Sequence, residues 1–355
     1  MKIAHLTSVH GAFDTRIFHK QCKSLARAGY DVHLVVVHDK DELRDGVSIK
    51  ALHRMHGRFN RMIKTVWNTY RAACAIDADI YHLHDPELIP VGLALKWRNK
   101  IVIFDSHEDY PADIMSKGWI PIRIRKHVSR AFAALEKYAF PKFDAVVTVH
   151  EQIARRIGQF QPKIVTVHNF PVLDPAFIVA SPRIPRFVWL GMLSPIRGSA
   201  QIDAALKLLD GAALDVIGPV SNLAPDNKEI TILGTFPQAE AMQMASQYLA
   251  GLVTYLPEPN HVDALPNKLF EYMALGLPVI ASNFPKWKLI IEDAGCGLLV
   301  DPTSPNDIAK ALQWILDNKR KAIEMGLRGR ATVLVKYSWI SEEKVLLDLY
   351  KGFDK

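Results

Sequence analysis

Cysteine is scarce in this chain. Cys22, Cys74 and Cys296 are the three in 355 residues. They are odd in number, far apart and in no metal-ligand spacing, which excludes a disulfide framework and a zinc site as the organising device; they read as buried free thiols. Long apolar runs are also lacking. No segment approaches the ~20 residues needed to cross a bilayer, and the opening MKIAHLTSVHG has no basic-then-apolar signal-peptide layout, so the expected location is the cytoplasm. There is no tandem repeat, no low-complexity tract, and no G-x-G-x-x-G to support a nicotinamide-binding domain.

What is present is the composition of a soluble globular protein, 49% hydrophobic and 23% charged, with length enough for two domains. The net charge of +7 calls for an acidic partner. Lipid headgroups, nucleic acid and phosphorylated small molecules all qualify.

Period-two apolar runs recur through the first half: KIAHLTS, the strand ending DVHLVVV after the amphipathic FHKQCKSLARAGY, then DIYHLHD, KIVIFDSHED and FDAVVTVH. Strand, helix, strand in this order builds parallel crossovers. Residues 1–167 therefore read as one doubly wound parallel sheet. The periodicity fails across 168–185, where Pro171, Pro175, Pro182 and Pro185 stand, a linker candidate. It restarts with FVWLGML, QIDAALKLL, LDVIGP, ITILG, QAEAMQMASQY and GLVTYLP, so 186–335 reads as a second parallel α/β domain. The amphipathic end, 336–355, could pack back on the N-terminal domain.

Ligands of such sheets bind beyond the carboxyl ends of the strands, which directs attention to polar residues there. In SVHGAFDTR, Gly11 allows close backbone approach while Asp14 and Arg16 open the next helix; an anion site and a turn glycine with a capping Asp both fit, and spacing alone slightly favours the second. His82 and His84 in HLHDPE share a strand face like paired metal ligands, with Asp85 beside them, but no third ligand stands at a recognisable spacing and no metal is expected. Asp105, His107, Glu108 and Asp109 follow another strand, and His107 sits among groups able to fix its tautomer. In the second half, LGMLSPIRGSAQ sets Ser194, Arg197 and Gly198 between strand and helix, and Gly218 closes another strand. A phosphate loop and a surface turn are both compatible with that pattern. LPNKLFEYMALGLPVIAS places Asn267, Lys268 and Glu271 in the first turns of a buried helix, with Lys268 and Glu271 on nearly one face. Lys268 with Arg197 could hold a diphosphate, and Glu271 a ribose.

DTRIFHKQCKSLARAGYDVHLV, the histidine loop, GMLSPIRG and PNKLFEYMALGLPVIAS, in this order, resemble the GT4 family of retaining, nucleotide-sugar-dependent glycosyltransferases, in particular bacterial members that build surface polysaccharides. The resemblance spans nearly the whole chain. It implies the GT-B fold, two Rossmann-like doubly wound domains facing across a cleft, with acceptor mainly on the first and donor mainly on the second. It aligns Glu271 with the second glutamate of an E-x7-E motif, Asp263 with the first, Arg197 with the lysine of a G-R-L-S-x-x-K-G loop and Met192 with its arginine. His107 aligns with the histidine near the transferred sugar, and Gly11 with the loop bordering the phosphates. On this basis His107, Arg197 and Lys268 are the expected catalytic residues. Gly11, Ser194, Arg197, Gly198, Gly218, Asp263, Asn267, Lys268 and Glu271 hold the donor, and Asp14, Arg16, His84, Asp85 and Glu108 lie on the acceptor side.

The implied partners are a UDP- or GDP-sugar and a glycan or lipid-linked acceptor, with no cofactor, no metal and no nucleic acid. The basic, aromatic-bearing segments 53–71 and 120–138 would then rest on anionic lipid at the inner face of the plasma membrane. A nucleotide-sugar epimerase and a non-catalytic nucleotide-sugar-binding protein are the alternatives.

Overall fold

The computed structural model describes residues 1–53, 61–173, 183–221, 227–262 and 264–354. They form two compact units, Met1–Asn169 together with Trp339–Lys355, and Phe170–Ser338.

The first unit is built on β1 Lys2–Gly11, β2 Asp31–Val37, β3 Glu42–Arg44, β4 Val47–Leu52, β5 Ile80–Leu83, β6 Ile101–Ser106, β7 Ala145–Thr148 and β8 Ile164–Thr166, in the order β3-β4-β2-β1-β5-β6-β7-β8. Side-chain alternation divides two cores between its faces. Ala4, Leu6, Tyr81, Leu83, Val102 and Phe104 enter one; Ile3, Leu34, Val36, Ile80 and Ile103 enter the other, with the C-terminal helix Trp339–Lys351. Trp339 and Tyr350 of that helix are buried in it, and Trp339 Nε1 donates to Ser24 Oγ at 2.9 Å.

Two local features depart from the sequence expectation. The sheet is not wholly parallel, because β3 pairs antiparallel with β4 at one edge. Its connection is the two-residue turn Asp45–Gly46, both at positive φ (52° and 79°), the mirror-image turn that matches strand twist and that Asp-Gly favours. The expected single helix after β1 is instead a π-wound segment, Thr15–Cys22, continuing into a short α-helix, Lys23–Arg27.

The second unit holds β9 Ile184–Leu190, β10 Leu214–Ile217, β11 Ile230–Gly234, β12 Tyr248–Val253, β13 Val279–Ser282 and β14 Gly297–Val300, all parallel, in the order β11-β10-β9-β12-β13-β14. Its core includes Trp189, Leu252, Phe270, Tyr272 and Trp287. Phe170, in the expected linker, packs in this core against Phe270 and Tyr337; residues 174–182 of that stretch lie outside the described residues. In each sheet strand order reverses at one strand, β1 in the first and β9 in the second. The carboxyl ends of those two strands are where a doubly wound sheet opens a ligand crevice.

Candidate functional site

At the carboxyl end of β9 a concavity of about 210 Å³ is lined by Leu190, Gly191, Gly218, Phe236, Met242, Lys268 and Glu271, among others. Its floor is backbone. Gly218 has φ 148°, and a Cβ there would stand 2.5 Å from the carbonyl carbon and oxygen of Gly191; only glycine lets the two chains close so tightly. Lys268 lies above this floor, since a Cβ on Gly191 would meet Lys268 Nζ at 3.0 Å and Cε at 3.1 Å.

The helix Asn267–Ala274 owes its position to one buried tyrosine. Tyr272 Oη accepts from Leu190 N at 2.8 Å and donates to Val188 O at 3.3 Å, so the helix is bonded to β9 itself. Gly251 on β12 leaves room for the ring, which a Cβ would meet at 2.4 Å. The preceding loop is fixed where Trp287 Nε1 donates to Ala264 O at 2.6 Å. Lys268, in the first turn of the helix, thereby lies beside Gly191 at the end of β9, where an anion site needs a cation. Asn267 is exposed at the first position. Glu271 accepts from Gln238 Nε2 at 3.1 Å, joining the start of the helix Gln238–Ala245 to the same lip.

Ser194, Arg197 and Gly198 lie on the turn after β9. Gly198 is left-handed at φ 84°, and a Cβ would meet the Thr254 carbonyl at 2.4 Å. Ser194 is buried, its carbonyl accepting from Arg197 N at 2.9 Å and from Ser199 N at 3.3 Å. Arg197 does not line the concavity. Its Nη1 donates to Met192 O at 2.9 Å and its guanidinium lies 5.5 Å from the Tyr255 ring centroid. Lys268 is thus the cation over the pocket floor, and Arg197 braces the turn beside it. Asp263 lies outside the described residues.

In the first unit the alternation that builds the core also builds a polar cluster. His5, His82, His84, Asp105 and His107 share the strand parity of Ile3, Ile80 and Ile103, and His5 is the register partner of His82. All but His107 are fully buried. Arg16 and Gln21 reach in from the π-wound segment. Arg16 forks onto Asp105, Nε to Oδ2 and Nη2 to Oδ1 at 2.9 Å each, and donates to Val167 O at 2.8 Å; Gln21 Nε2 donates to Oδ2 at 2.6 Å. Burial alone would raise the Asp105 pKa. The Arg16 charge, with His107 and the imidazole hydrogen bonds, outweighs it and holds this carboxyl well below the usual range. Burial also pulls His5 and His82 well down, and His84 to about 4 against the opposing pull of Asp105, so these three are neutral imidazoles at pH 7.

Sequence reasoning named Arg16, His82, His84, Asp85, Asp105 and His107 here but placed them separately, and it missed His5, Gln21, His10 and Tyr350, whose hydroxyl lies 2.6 Å from His82 Nδ1. Arg16 is spent on Asp105. Asp85 is buried, its Oδ2 accepting from Thr7 Oγ1 at 2.7 Å and Ser8 N at 2.6 Å. Asp14 acts as the helix cap, its Oδ1 accepting from Arg16 N at 2.8 Å and Ile17 N at 2.9 Å. Between those two carboxyls stands His10, with Nδ1 3.3 Å from Asp14 Oδ2 and Nε2 3.3 Å from Asp85 Oδ1. Each nitrogen faces an acceptor. Burial lowers the His10 pKa, but the Asp14 bond and the charges of Asp85, Asp14 and Asp105 overcome it and raise the value above normal. The His10 ring lies 5.1 Å from that of His107. The space beside Gly11 is open, with no atom within 4 Å of an added Cβ. Burial and Asp113 push Glu108 up, against Lys117.

Two triplets, His5–His82–His84 and His84–Asp105–His107, bring ligand-type atoms within 4.8 Å of one another. In the second, the Asp105 oxygens already accept three charged or amide donors. That leaves the carboxylate poorly suited to a cation, and hydrogen bonding is the arrangement its partners satisfy. In the acidic stretch DKDE that follows β2, Asp41 pairs with exposed Lys50 at 2.5 Å.

The chain matches the model of Glycosyltransferase Family 4 over residues 15–174 and that of Glycosyl transferases group 1 over residues 227–332. It is 27% identical over 188 residues to a GDP-mannose-dependent alpha-(1-6)-phosphatidylinositol monomannoside mannosyltransferase of Mycobacterium tuberculosis, a match covering 48% of each chain. Matches of this kind span about half or less of the length of the curated relatives. Among solved structures, a sucrose-phosphate synthase from Thermosynechococcus elongatus superposes with TM-score 0.76 at 18% identity, over 99% of this chain and 98% of that one. HepE of Anabaena in complex with UDP-glucose superposes with TM-score 0.73 at 12% identity, over 99% and 100%. With both family models matched in order and two α/β units shared with these folds, the chain belongs to the GT4 family of GT-B glycosyltransferases.

Proposed function

We propose that this protein is a retaining, metal-independent glycosyltransferase that moves a sugar from a UDP- or GDP-sugar to a glycan or lipid-linked acceptor in polysaccharide or glycolipid synthesis. The observation that carries this reading is the concavity at the end of β9, with a glycine floor, a lysine above it and a carboxylate on its lip. Glycine backbone lets a diphosphate approach closely. Lys268 and the amides at the start of its helix meet the charge that builds on the leaving phosphate as the anomeric bond breaks. Glu271, oriented by Gln238, takes the ribose hydroxyls, and Phe236 and Met242 offer an apolar wall to the base. Arg197 supports the turn through Met192, and Ser194 and Gly198 shape it. With Lys268 as the electrophilic group no metal has a step to perform, and the leaving phosphate accepts the acceptor's proton. In the first unit, His107 is read as the group that faces the sugar. The UDP-glucose complex of HepE supports a nucleotide-sugar donor, and the mycobacterial relative supports a glycolipid setting.

A thermal-shift screen with UDP, GDP, ADP and CMP tests the donor. Stabilisation by UDP or GDP is expected, followed by nucleotide release from the matching sugar nucleotide, unchanged by chelator. Isomerised donor without release would identify an epimerase, and binding without turnover a non-catalytic protein.

The acceptor side adds a membrane contact. On the helix Ile122–Ala139, Ile122 is 77% exposed beside exposed Arg123, Lys126 and Arg130. Trp67, 59% exposed, lies in the other basic segment, of which residues 54–60 are outside the described residues. Apolar and cationic side chains exposed together suit an anionic bilayer surface. Co-sedimentation with phosphatidylglycerol vesicles and not with phosphatidylcholine vesicles is expected; equal binding to both would refute the electrostatic contact. No helix among the described residues is long and apolar enough to cross a membrane.

A further inference from the structure

The turn that follows β1 is closed twice. Asp14 N donates to Gly11 O at 3.1 Å, the hydrogen bond of a four-residue turn. Across that turn the His10 ring reaches the Asp14 carboxylate, with Nδ1 3.3 Å from Oδ2. Its other nitrogen, Nε2, stands 3.3 Å from Oδ1 of Asp85, two residues beyond β5. His10 therefore ties the start of the π-wound segment to the end of the neighbouring strand.

Each carboxylate spends one oxygen on donors and turns the other to the ring. Asp85 Oδ2 accepts from Thr7 Oγ1, Ser8 N and, at 3.2 Å, Val9 N; Asp14 Oδ1 accepts the amides of Arg16 and Ile17. A neutral imidazole has one N–H and would set its bare nitrogen against one of the remaining oxygens. An imidazolium donates to both. Past these two, Asp105 and His107 face His10 from the end of β6, and Asp105 is already forked by Arg16. Burial works against charge on the ring, and the Asp14 bond with the charges of Asp85, Asp14 and Asp105 outweighs it. The side chain keeps 30% exposure, beside the open space at Gly11 and 5.1 Å from the His107 ring.

We infer that His10 is a positioning residue that works as an imidazolium: clasped by Asp14 and Asp85, it fixes the Gly11–Asp14 turn against the end of β5, beside His107, and sugar transfer needs the clasp closed. When the ring loses a proton, one carboxylate is released and the turn loses that tie. The weight of His10 in catalysis rests on the reading of this strand end as the sugar-facing side; the clasp itself does not.

Long-range 1H–15N spectra of 15N-histidine-labelled full-length protein, with the His10 signal assigned by its loss in His10→Gln, should show both ring nitrogens protonated at pH 7. Nucleotide release from UDP-glucose or GDP-mannose is then followed from pH 6 to pH 9. The kcat/KM should hold while His10 is charged and fall as pH rises through its titration, by about tenfold, less than the ~10²-fold that a 1 Å misplacement can cost. His10→Gln should sit at the lower level throughout and lack this limb. Asp14→Asn, which can still cap the segment but carries no charge, should move the His10 titration and the limb together to lower pH. A neutral His10 at pH 7, a limb that persists in His10→Gln, or a limb that stays in place in Asp14→Asn while the titration moves overturns the proposal. Should either variant fail to fold, the unmodified protein still decides, because the midpoints of its spectrum and its rate profile must coincide. If no sugar nucleotide is turned over, the functional reading fails and urea unfolding judges the clasp alone. The stability lost in His10→Gln should be full below the ordinary imidazole value of about 6.5 and shrink as pH rises through the raised one; a loss independent of pH would refute the clasp.

Discussion

Lys268→Ala is expected to lower kcat for nucleotide-sugar turnover by about 10²–10³-fold, the scale seen when one preorganised group that stabilises transition-state charge is lost. The reasoning is geometric. Lys268 is the cation over the Gly191–Gly218 floor, and its helix is bonded to β9 through Tyr272. Nothing has to reorganise when charge arrives, which is the condition under which electrostatic stabilisation is largest. Because the charge develops as the bond breaks, the loss should fall on kcat more than on KM. Glu271→Ala should show the opposite division, a raised KM with a smaller change in kcat, if the carboxylate holds the unreacting ribose. Single-turnover and steady-state measurements on the two variants separate these outcomes. Unchanged turnover in Lys268→Ala would remove the proposed leaving-group stabiliser.

Arg16→Ala should cost about 3–5 kcal/mol of stability, as breaking a buried pair by removing one partner does. Asp105 would then be a fully buried carboxylate stripped of its bidentate cation, with Gln21 and the imidazoles left to solvate it. The sign with pH distinguishes this from a packing defect. In the native protein the Asp105 pKa is depressed, so its contribution is present above the ordinary carboxylate pKa of about 3.8 and lost as pH falls through the depressed value. In the variant the same carboxyl is raised by burial. Its folded state is then favoured at low pH and loses stability as pH rises through the raised value. The gap between the two proteins should narrow on acidification. Urea unfolding at pH 7 and pH 4.5 measures it; a gap that stays constant would point to lost packing instead of an uncompensated charge.

These two arginine and lysine effects mark what sequence can and cannot reveal. The pocket side chains on the helix Asn267–Ala274 are local: Lys268 and Glu271 share a helix face, and the apolar run behind them declares which end is buried. Gly218 was also visible, as a glycine ending a strand, though its contact with Gly191 was not. Arg16 and Asp105 are 89 residues apart, and their pairing depends on β1 and β6 flanking β5, a sheet order that period-two patterns do not encode. His10 shows the same division within one residue. Its Asp14 partner is four residues away, but Asp85 comes from the end of β5. The cluster parity was legible after all, because His82, His84, Asp105 and His107 alternate with core residues along two strands. What had to come from the fold was His5, brought from β1 beside His82, and Tyr350, whose hydroxyl meets His82 from the C-terminal helix. The Asp45–Gly46 hairpin had a sufficient local signal that went unused, whereas the π-winding of Thr15–Cys22 left no mark in the periodicity.

The division of the chain, with Met1–Asn169 completed by Trp339–Lys355 and Phe170–Ser338 contiguous between them, has a consequence for synthesis. Chains fold as they leave the ribosome, usually N-terminal domain first. Here the first unit must wait, because Trp339, Leu346 and Tyr350 fill its core against Phe18 and Leu34. The helix Trp339–Lys351 is made after the whole of the second unit, so the second unit is complete before the first can be.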